Sequence, residues 1–358
     1  MNGIMNLCCI SLLAYCGVAR CNDFLKQRQA LKEELSKSPY NLVCEGYEND
    51  NWDIFFMHAD GSNLKNLTNT PTIHELYPKV SPDGKKVSFL VDTGKGRTKI
   101  RSVWIMDIDG KNRKKVSDYA RQPFWSPDGK ILGWLPQEYK KFSGRSLANR
   151  GIKLYNVATG KSVPHVNSDK IFHLFNPCWS PDGKWIVSTV HAGMGIKHGN
   201  VLIEANGTMI LNLHKGGCRP DFSPDGKWIA WGRTDRKMLV VPFVDAGAKS
   251  HYGKPVFTLI DNNKKRKIYH VDWSPNGKWL AISWGPTSKG DPSKVGTFSA
   301  AAETPGVYAA KWNLVIVPVS MKGEVANIGS LKSKIPWLQI TTKGSSYKEP
   351  DWIRGTNN

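Results

Sequence analysis

The pentapeptide Ser81-Pro82-Asp83-Gly84-Lys85 is repeated along this chain of 358 residues. A proline sets φ for the first position of a tight turn, aspartate tolerates the next position, and glycine supplies the positive φ that completes it. An apolar run at 86–90 follows directly, as expected for a strand that leaves a β-hairpin turn. Further copies stand at Ser126–Lys130, Ser180–Lys184, Ser223–Lys227 and, with asparagine in place of aspartate, Ser274–Lys278.

The spacing of the copies predicts the architecture. The differences between serine positions 81, 126, 180, 223 and 274 are 45, 54, 43 and 51 residues, which is typical of one four-stranded propeller blade per copy. A decayed copy, Pro350-Asp351-Trp352-Ile353, ends the pattern, and strand patterns at 41–46, 52–58 and 64–68 begin it without a pentapeptide. Together these two fragments make a sixth blade and leave no free sheet edge. The sequence therefore predicts an all-β fold, a six-bladed β-propeller over residues 40–358, closed by pairing of the N-terminal strands with the C-terminal strand.

Two segments interrupt the repeat at the same point of a blade. Residues 285–311, rich in Ser, Gly, Pro and Ala, lengthen the last unit, 270–349, and residues 137–150 lengthen an earlier one. We expect both to be long loops between the second and third strands of their blades. Insertions in repeat arrays collect on one face, which is often the binding face.

The N-terminal segment predicts export. Residues 1–19 carry no charge, contain an apolar run at 8–15 and end in small residues, as a signal peptide does. Residues 20–39 predict a short helix, either a linker or a helix that lies against the propeller. Asp23 is its cap, Pro39 its stop, and Phe24, Leu31 and Leu35 form a sparse apolar stripe. No other apolar stretch approaches the ~20 residues of a membrane helix. We therefore expect a periplasmic or secreted protein that is not an integral membrane protein.

The cysteines and the charge limit the partners. Four cysteines follow the leader, in no CxxC or metal-ligand spacing, and their pairing stays open: Cys21, Cys44, Cys178 and Cys218. The formal charge is +20, with basic clusters at 95–101, 111–115, 140–150 and 264–267. Either these basic residues lie on solvent-exposed loops and protect strand edges, or they attract an anionic polymer, lipid headgroup or acidic protein. An exported chain does not meet nucleic acid.

The repeat resembles that of a known family. The stretch Asp60-Gly61-Ser62-Asn63-Leu64-Lys65-Asn66-Leu67-Thr68-Asn69, followed by Tyr77-Pro78 and the first pentapeptide, is similar to the WD-like repeat of TolB-like propellers. The resemblance implies a non-catalytic periplasmic binding platform for peptidoglycan-associated lipoprotein or a similar envelope protein. TolB carries an α/β domain before its propeller, which the short 20–39 segment does not match, so only the propeller's role is carried over.

Motifs of catalysis are missing from the sequence. There is no GxSxG, HExxH or P-loop, and no GxGxxG follows a strand. Three aspartates, Asp221, Asp272 and Asp351, stand two residues before the serine position on sequential blades. They offer oxygen ligands for a channel cation such as calcium. The alternative is that each accepts hydrogen bonds from neighbouring backbone.

Polar and aromatic residues precede each innermost strand. We expect these residues to lie on the loops that lead into those strands and to ring the mouth of the channel. They are His74, Glu75, Tyr77, Tyr119, Arg121, His173, Asn176, Arg219, Tyr269, His270, Lys348 and Glu349. Three interpretations stay open: loop residues that cap the blades, a partner-binding surface, or the site of a metal-dependent carbohydrate-active enzyme similar to oligogalacturonate lyase. We predict a monomeric binding protein without catalysis or cofactor, whose partner is an envelope protein or an anionic polymer.

Overall fold

The computed structural model describes residues 21–94, 98–140, 148–286, 311–341 and 346–353. Within these ranges the strands form six sheets around a common channel, which confirms the predicted six-bladed propeller. The predicted signal peptide lies outside the described residues, and so do most of the 285–311 insertion and the middle of the 137–150 insertion.

Each blade begins with an innermost strand at the channel, and strands are numbered in chain order. Blade one consists of β26 (Ser346–Ile353), β1 (Asn41–Glu48), β2 (Asn51–His58) and β3 (Lys65–Asn66). Blade two consists of β4 (His74–Val80), β5 (Lys86–Thr93), β6 (Ile100–Asp107) and β7 (Lys114–Asp118). Blade three consists of β8 (Ala120–Trp125), β9 (Ile131–Pro136), β10 (Lys153–Asn156) and β11 (Ser162–Pro164). Blade four consists of β12 (Leu174–Trp179), β13 (Trp185–Gly193), β14 (Ile196–Glu204) and β15 (Ile210–Asn212).

The last two blades share a strand. Blade five consists of β16 (Cys218–Phe222), β17 (Trp228–Thr234), β18 (Lys237–Val244) and β20 (Phe257–Ile260), with β19 (His251–Tyr252) beside β18. Blade six consists of β21 (Arg266–Trp273), β22 (Trp279–Pro286), β23 (Asn313–Pro318) and β25 (Leu338–Gln339). Between β23 and β25 the chain forms β24 (Glu324–Asn327), which pairs in parallel with β20 of blade five. Residues 270–349 therefore form more than blade six, because β24 extends the outer edge of blade five.

The pentapeptides form the hairpin turns between first and second strands. The serine carbonyl accepts the glycine N–H, and the five glycines have φ between +69° and +76°. The serine hydroxyl donates to the Asp or Asn side chain at 2.5–2.8 Å. It also accepts the backbone N–H that opens the second strand, such as that of Trp185 at 2.9 Å. Each turn thus satisfies its own polar groups.

The first and last strands close the ring. β26 and β1 pair antiparallel, with Asn41 opposite Ile353 and Tyr47 opposite Ser346. Trp352 is 5% exposed, and its ring stacks on that of Trp279 in blade six at a centroid distance of 6.2 Å. The predicted closure is present, and Trp352 packs between blades one and six.

Apolar side chains pack between adjacent blades, and a helix covers part of this core. Helix α1 (residues 21–36) buries the predicted stripe of Phe24, Leu31 and Leu35. The ring of Phe24 lies 5.9 Å from that of Trp337. The segment is therefore docked on the propeller and is not a free linker. Within the described ranges, no helix combines the length and apolarity needed to cross a membrane. The four cysteines left unassigned above are free thiols.

Candidate functional site

The alternation of strand direction gives the disc two distinct faces. The loops that lead into the innermost strands, and those that join second to third strands, lie on what we call the upper face. Both long insertions join second to third strands, β9 to β10 and β22 to β23, which is the predicted position. The pentapeptide turns lie on the lower face.

Most of the predicted channel-mouth residues are not on loops. Tyr119 and His173 do stand just before innermost strands, but the other ten lie within β4, β8, β12, β16, β21 and β26. We predicted that these strands begin after the selected residues. Each strand begins earlier and passes through a β-bulge, which the alternation of apolar and polar residues does not reveal. The prediction that these ten residues lie on loops is therefore wrong.

Each innermost strand carries one non-glycine residue with positive φ at its bulge. The pairing register shifts at this point in the strand pairs of all six innermost strands. A bulge re-aims a side chain, and here it turns one residue per blade into the channel. We call this set the bulge ring. Its members and their φ values are Tyr77 (54°), Gln122 (45°), Asn176 (48°), Arg219 (62°), His270 (45°) and Glu349 (50°).

The bulge ring fills the upper end of the channel. Asn176 Nδ2 donates to the Tyr77 hydroxyl at 2.8 Å, and the Asn176 backbone N–H donates to Gln122 Oε1 at 2.9 Å. On the other side, Arg219 NH1 donates to Glu349 Oε1 at 3.0 Å, and His270 Nε2 lies 2.6 Å from the same oxygen. All members except Asn176 are buried. Gln122 belongs to this network although the sequence analysis did not select it; its place just before a proline, shared with four other members, is the signal that was missed.

Charges in the bulge ring are internally matched. Burial alone would raise the pKa of Glu349, but the Arg219 guanidinium and His270 overcome it and hold that pKa at about 2. Burial lowers the pKa of His270 to about 3, and Arg219 adds to the effect. His270 Nδ1 lies 2.9 Å from the Ser283 hydroxyl, which leaves Nε2–H to donate to Glu349. A neutral imidazole therefore sits between a hydroxyl and a carboxylate.

Other predicted residues also have internal partners. Lys348 Nζ lies 3.4 Å from buried Glu45 and 4.2 Å from the centre of the Trp52 ring. Glu75 lies 3.3 Å from Arg113 NH1. Arg121 is 1% exposed.

The three predicted histidines do not meet. His74 Nδ1 accepts the Trp52 backbone N–H at 3.3 Å. His173 Nδ1 lies 3.0 Å from the Ala192 carbonyl oxygen, and its Nε2 lies 3.4 Å from Glu138. His270 belongs to the bulge ring described above. These histidines occupy three separate environments, so the structure does not assemble them into one ligand set.

The three aspartates do converge, around a lysine. Lys79 Nζ lies 2.6 Å from Asp351 and 3.9 Å from Asp272. Each aspartate also accepts a backbone N–H from the following blade: Asp221 from Trp273, Asp272 from Trp352 and Asp351 from Val80. Lys79 thus supplies positive charge to this layer, and the aspartates join neighbouring blades.

The channel is open toward the lower face. A funnel of about 170 Å³ lies there, with the Lys79 and aspartate layer as its floor. Its wall contains the prolines of all five pentapeptides, Pro82, Pro127, Pro181, Pro224 and Pro275. The upper face has instead the closed bulge ring at its centre and loops around it.

Exposed basic residues lie on both faces of the disc. On the upper face the loops and strand ends carry many exposed basic residues and few acidic ones. The exposed basic residues are Lys140, Arg150, Lys170, Lys197, Lys215, Arg233, Lys237, Lys264, Lys265 and Lys311. On the lower face two pentapeptide lysines stand beside the aspartates of their own turns, with Lys130 Nζ 3.7 Å from Asp128 and Lys227 Nζ 4.0 Å from Asp225. Further exposed lysines lie on the lower face, at Lys85, Lys111, Lys161, Lys249 and Lys278, so both faces are basic.

These features define the class of protein as a six-bladed β-propeller. A family model for the WD domain, G-beta repeat, matches residues 253–286. TolB from Acinetobacter baumannii is similar with a TM-score of 0.57 and 15% identity, over 87% of this chain and 66% of that chain. A chain of hydrazine synthase from Kuenenia stuttgartiensis gives 0.57 and 11% identity, over 92% and 49% of the two chains. A chain of a nidogen/laminin complex is similar with a TM-score of 0.54 and 9% identity, over 88% of this chain and 99% of that chain. These likenesses concern the fold.

A curated relative is also similar in sequence. The uncharacterized peptidase YuxL of Bacillus subtilis is 26% identical over 186 residues, a match that covers 42% of this chain and 26% of that protein. The chain thus matches about a quarter of the length of this relative.

Proposed function

We propose that this chain is an exported, non-catalytic binding platform of the bacterial cell envelope, with a role like that of TolB propellers. Its upper face binds an acidic envelope protein, of the peptidoglycan-associated lipoprotein kind, or an anionic polymer. The likeness to the TolB fold and the resemblance of the repeats support the role. The exposed basic residues on the upper-face loops carry the choice of an anionic partner, and the position of both long insertions on that face supports the choice of face.

The binding surface lies on the loops and not in the channel. Arg121 and Arg219, which we predicted to contact a partner, are buried. Exposed residues such as Lys170 and Lys265 surround the closed centre on loops that lead into β12 and β21. Exposed charges raise the rate of association with an oppositely charged partner, and salt screens the effect beyond about 8 Å at physiological ionic strength. We therefore expect association to slow as salt is raised.

Charge reversal tests the face. Lys170→Glu with Lys265→Glu alters the upper face, and Lys130→Glu with Lys227→Glu makes the same change of net charge on the lower face. The probes are the soluble domain of peptidoglycan-associated lipoprotein from the same organism and polygalacturonate, measured by biolayer interferometry at two salt concentrations. We expect the first pair alone to lower the association rate, by about tenfold or more. Equal effects of both pairs, or no binding of either probe, would overturn the proposal.

Export is tested separately. The leader at 1–19 predicts a mature chain that starts near Arg20. Intact-mass measurement of the protein from its native host gives the N-terminus directly. A soluble cytoplasmic form that retains Met1 would contradict export without touching the charge-steered binding.

A further inference from the structure

Two histidines and a cysteine meet on the upper side of blades four and five. His191 in β13 and His198 in β14 are directly opposite each other in the antiparallel register. Cys218 is the first residue of β16, in the next blade. Its Sγ lies 3.1 Å from His198 Nε2 and 3.8 Å from His191 Nε2. The three ligand atoms all lie within 4.8 Å of one another, and no other such group of three forms among the described residues.

Local sequence fixes each ligand. His191 and His198 are joined by a tight hairpin whose turn contains Met194 and Gly195 with positive φ. Cys218 follows Gly217, which has φ +122°, and a Cβ at Gly217 would lie 2.5 Å from the Gly232 carbonyl oxygen. Only glycine allows the chain to pass so close to β17, and this approach brings Cys218 to the hairpin. The hairpin's two histidines could have been paired from the sequence, but the cysteine comes from another blade.

The donor set and its spacing fit zinc. Two imidazole nitrogens and a thiolate are ligands that zinc prefers, in tetrahedral geometry. Zn–N bonds of about 2.0 Å and a Zn–S bond of about 2.3 Å place the donor atoms ~3.3–3.6 Å apart. The two sulfur–nitrogen distances of 3.1 and 3.8 Å bracket this range, and the two histidine nitrogens lie within 4.8 Å of each other.

A cavity reaches two of the three ligands. It has a volume of about 160 Å³, and its lining includes His198, Cys218, Arg219, Arg233 and Tyr269. Catalytic or ligand-exchanging zinc sites have three protein ligands and a fourth position for water or an incoming donor. Exposed Arg233 in the lining favours an anionic donor there, whereas Arg219 is already paired with Glu349.

We propose that His191, His198 and Cys218 bind a zinc ion whose fourth coordination position faces this cavity and accepts an anionic donor such as a carboxylate. Cys218 binds as thiolate and releases its proton to solvent. The site is independent of the proposed partner binding: zinc binding can fail while charge-steered association persists, and the reverse.

Metal titration of the whole chain tests the site. Chelator-treated, reduced protein is titrated with zinc against a competing dye, and separately with cobalt(II). We expect one zinc per chain and, with cobalt, thiolate-to-metal charge transfer with the intense visible absorption of tetrahedral coordination. Addition of azide to the cobalt form should shift the visible bands. An unchanged spectrum would overturn the open fourth position, and absence of stoichiometric zinc binding would overturn the site.

Matched variants assign the ligands. Cys218→Ala and His198→Gln should each lower zinc affinity by about 100-fold or more. Loss of a residue that only supports a ligand costs about 10–100-fold, and loss of a ligand itself should cost at least as much. Exposed His214 and His251 are not in the cluster, so His214→Gln and His251→Gln serve as controls and should bind zinc like wild type. Circular dichroism and metal-free melting show that each variant is folded. Wild-type affinity in folded Cys218→Ala, or equal loss in the controls, would contradict the assignment.

Discussion

At the scale of single residues, Glu349 joins two other members of the bulge ring. It accepts from Arg219 at 3.0 Å and lies 2.6 Å from His270, and all three side chains are buried. Removing one partner of a buried ion pair costs much more than removing one of an exposed pair. We expect Glu349→Gln, which keeps the size but loses the charge, to lower the free energy of unfolding by roughly 3 kcal/mol.

Chemical denaturation measures this loss. The control is Asp109→Asn, because Asp109 lies 3.1 Å from Lys111 in an exposed pair. This variant should unfold like wild type. A Glu349→Gln protein as stable as wild type would show that the channel network does not stabilise the fold.

His270 makes stability depend on pH. Its pKa is about 3 in the folded chain, against an ordinary value of 6.5, so the unfolded chain takes up its proton first as pH falls. The contribution is fully present above pH 6.5 and declines toward pH 3, by roughly 2 kcal/mol between pH 6.5 and 5. Burial raises the pKa of Glu45 to about 7, which acts in the opposite direction. The readout is therefore the difference in the free energy of unfolding between wild type and His270→Gln. The advantage of the wild type should shrink as pH falls over this interval. A constant difference would contradict the expectation.

At the scale of elements, β24 shows how one blade supports another. It comes from the chain of blade six but pairs with β20 of blade five, where Leu259 is opposite Ala326. Ala326 is fully buried, whereas the side chain of adjacent Val325 is 45% exposed. A charge at position 326 has no favourable place in this core, so Ala326→Lys should detach β24.

Hydrogen exchange reports this detachment. Amide exchange in β20 should rise by about tenfold or more in Ala326→Lys, equivalent to ~1.4 kcal/mol of local stability. Val325→Lys changes the neighbouring, outward-facing residue and should exchange like wild type. Unchanged exchange in both variants would mean that β20 does not depend on β24.

At the scale of the whole molecule, stability depends on ring closure. Deleting residues 346–358 removes β26, exposes the edge of β1 and loses buried Trp352, for which substitution by alanine alone would cost about 3–5 kcal/mol. We expect a large fall in melting temperature. A synthetic peptide of residues 346–358 should raise it again, because a ligand that binds only the folded form stabilises that form. A scrambled peptide of the same composition is the control, and a truncated protein that melts like wild type would contradict the closure.

Features that depend on residues close together in the sequence could be predicted, and contacts between distant parts of the chain could not. The pentapeptide turns, the blade number and the closing strand were predicted, because turn chemistry and strand patterns depend on neighbours in the chain. Five of the six bulge-ring residues were selected from the sequence, but their contacts were not predicted, since Tyr77 and Asn176 meet only across the channel. The zinc cluster was missed for the same reason: Cys218 reaches His191 from a different blade. The parallel pairing of β24 depends on an apolar face of blade five that no local pattern in residues 324–327 reveals.

The pairing of β26 with β1 also sets an order in time. Synthesis at about 5–20 residues per second separates these two strands by on the order of 15–60 s. Throughout that interval β1 has an unpaired edge, which is a template for association with other chains. Only a chain that includes residues 346–353 can therefore cover the edge of β1. A nascent chain that stalls before them remains an open ring, and chaperones and proteases can recognise its exposed edge.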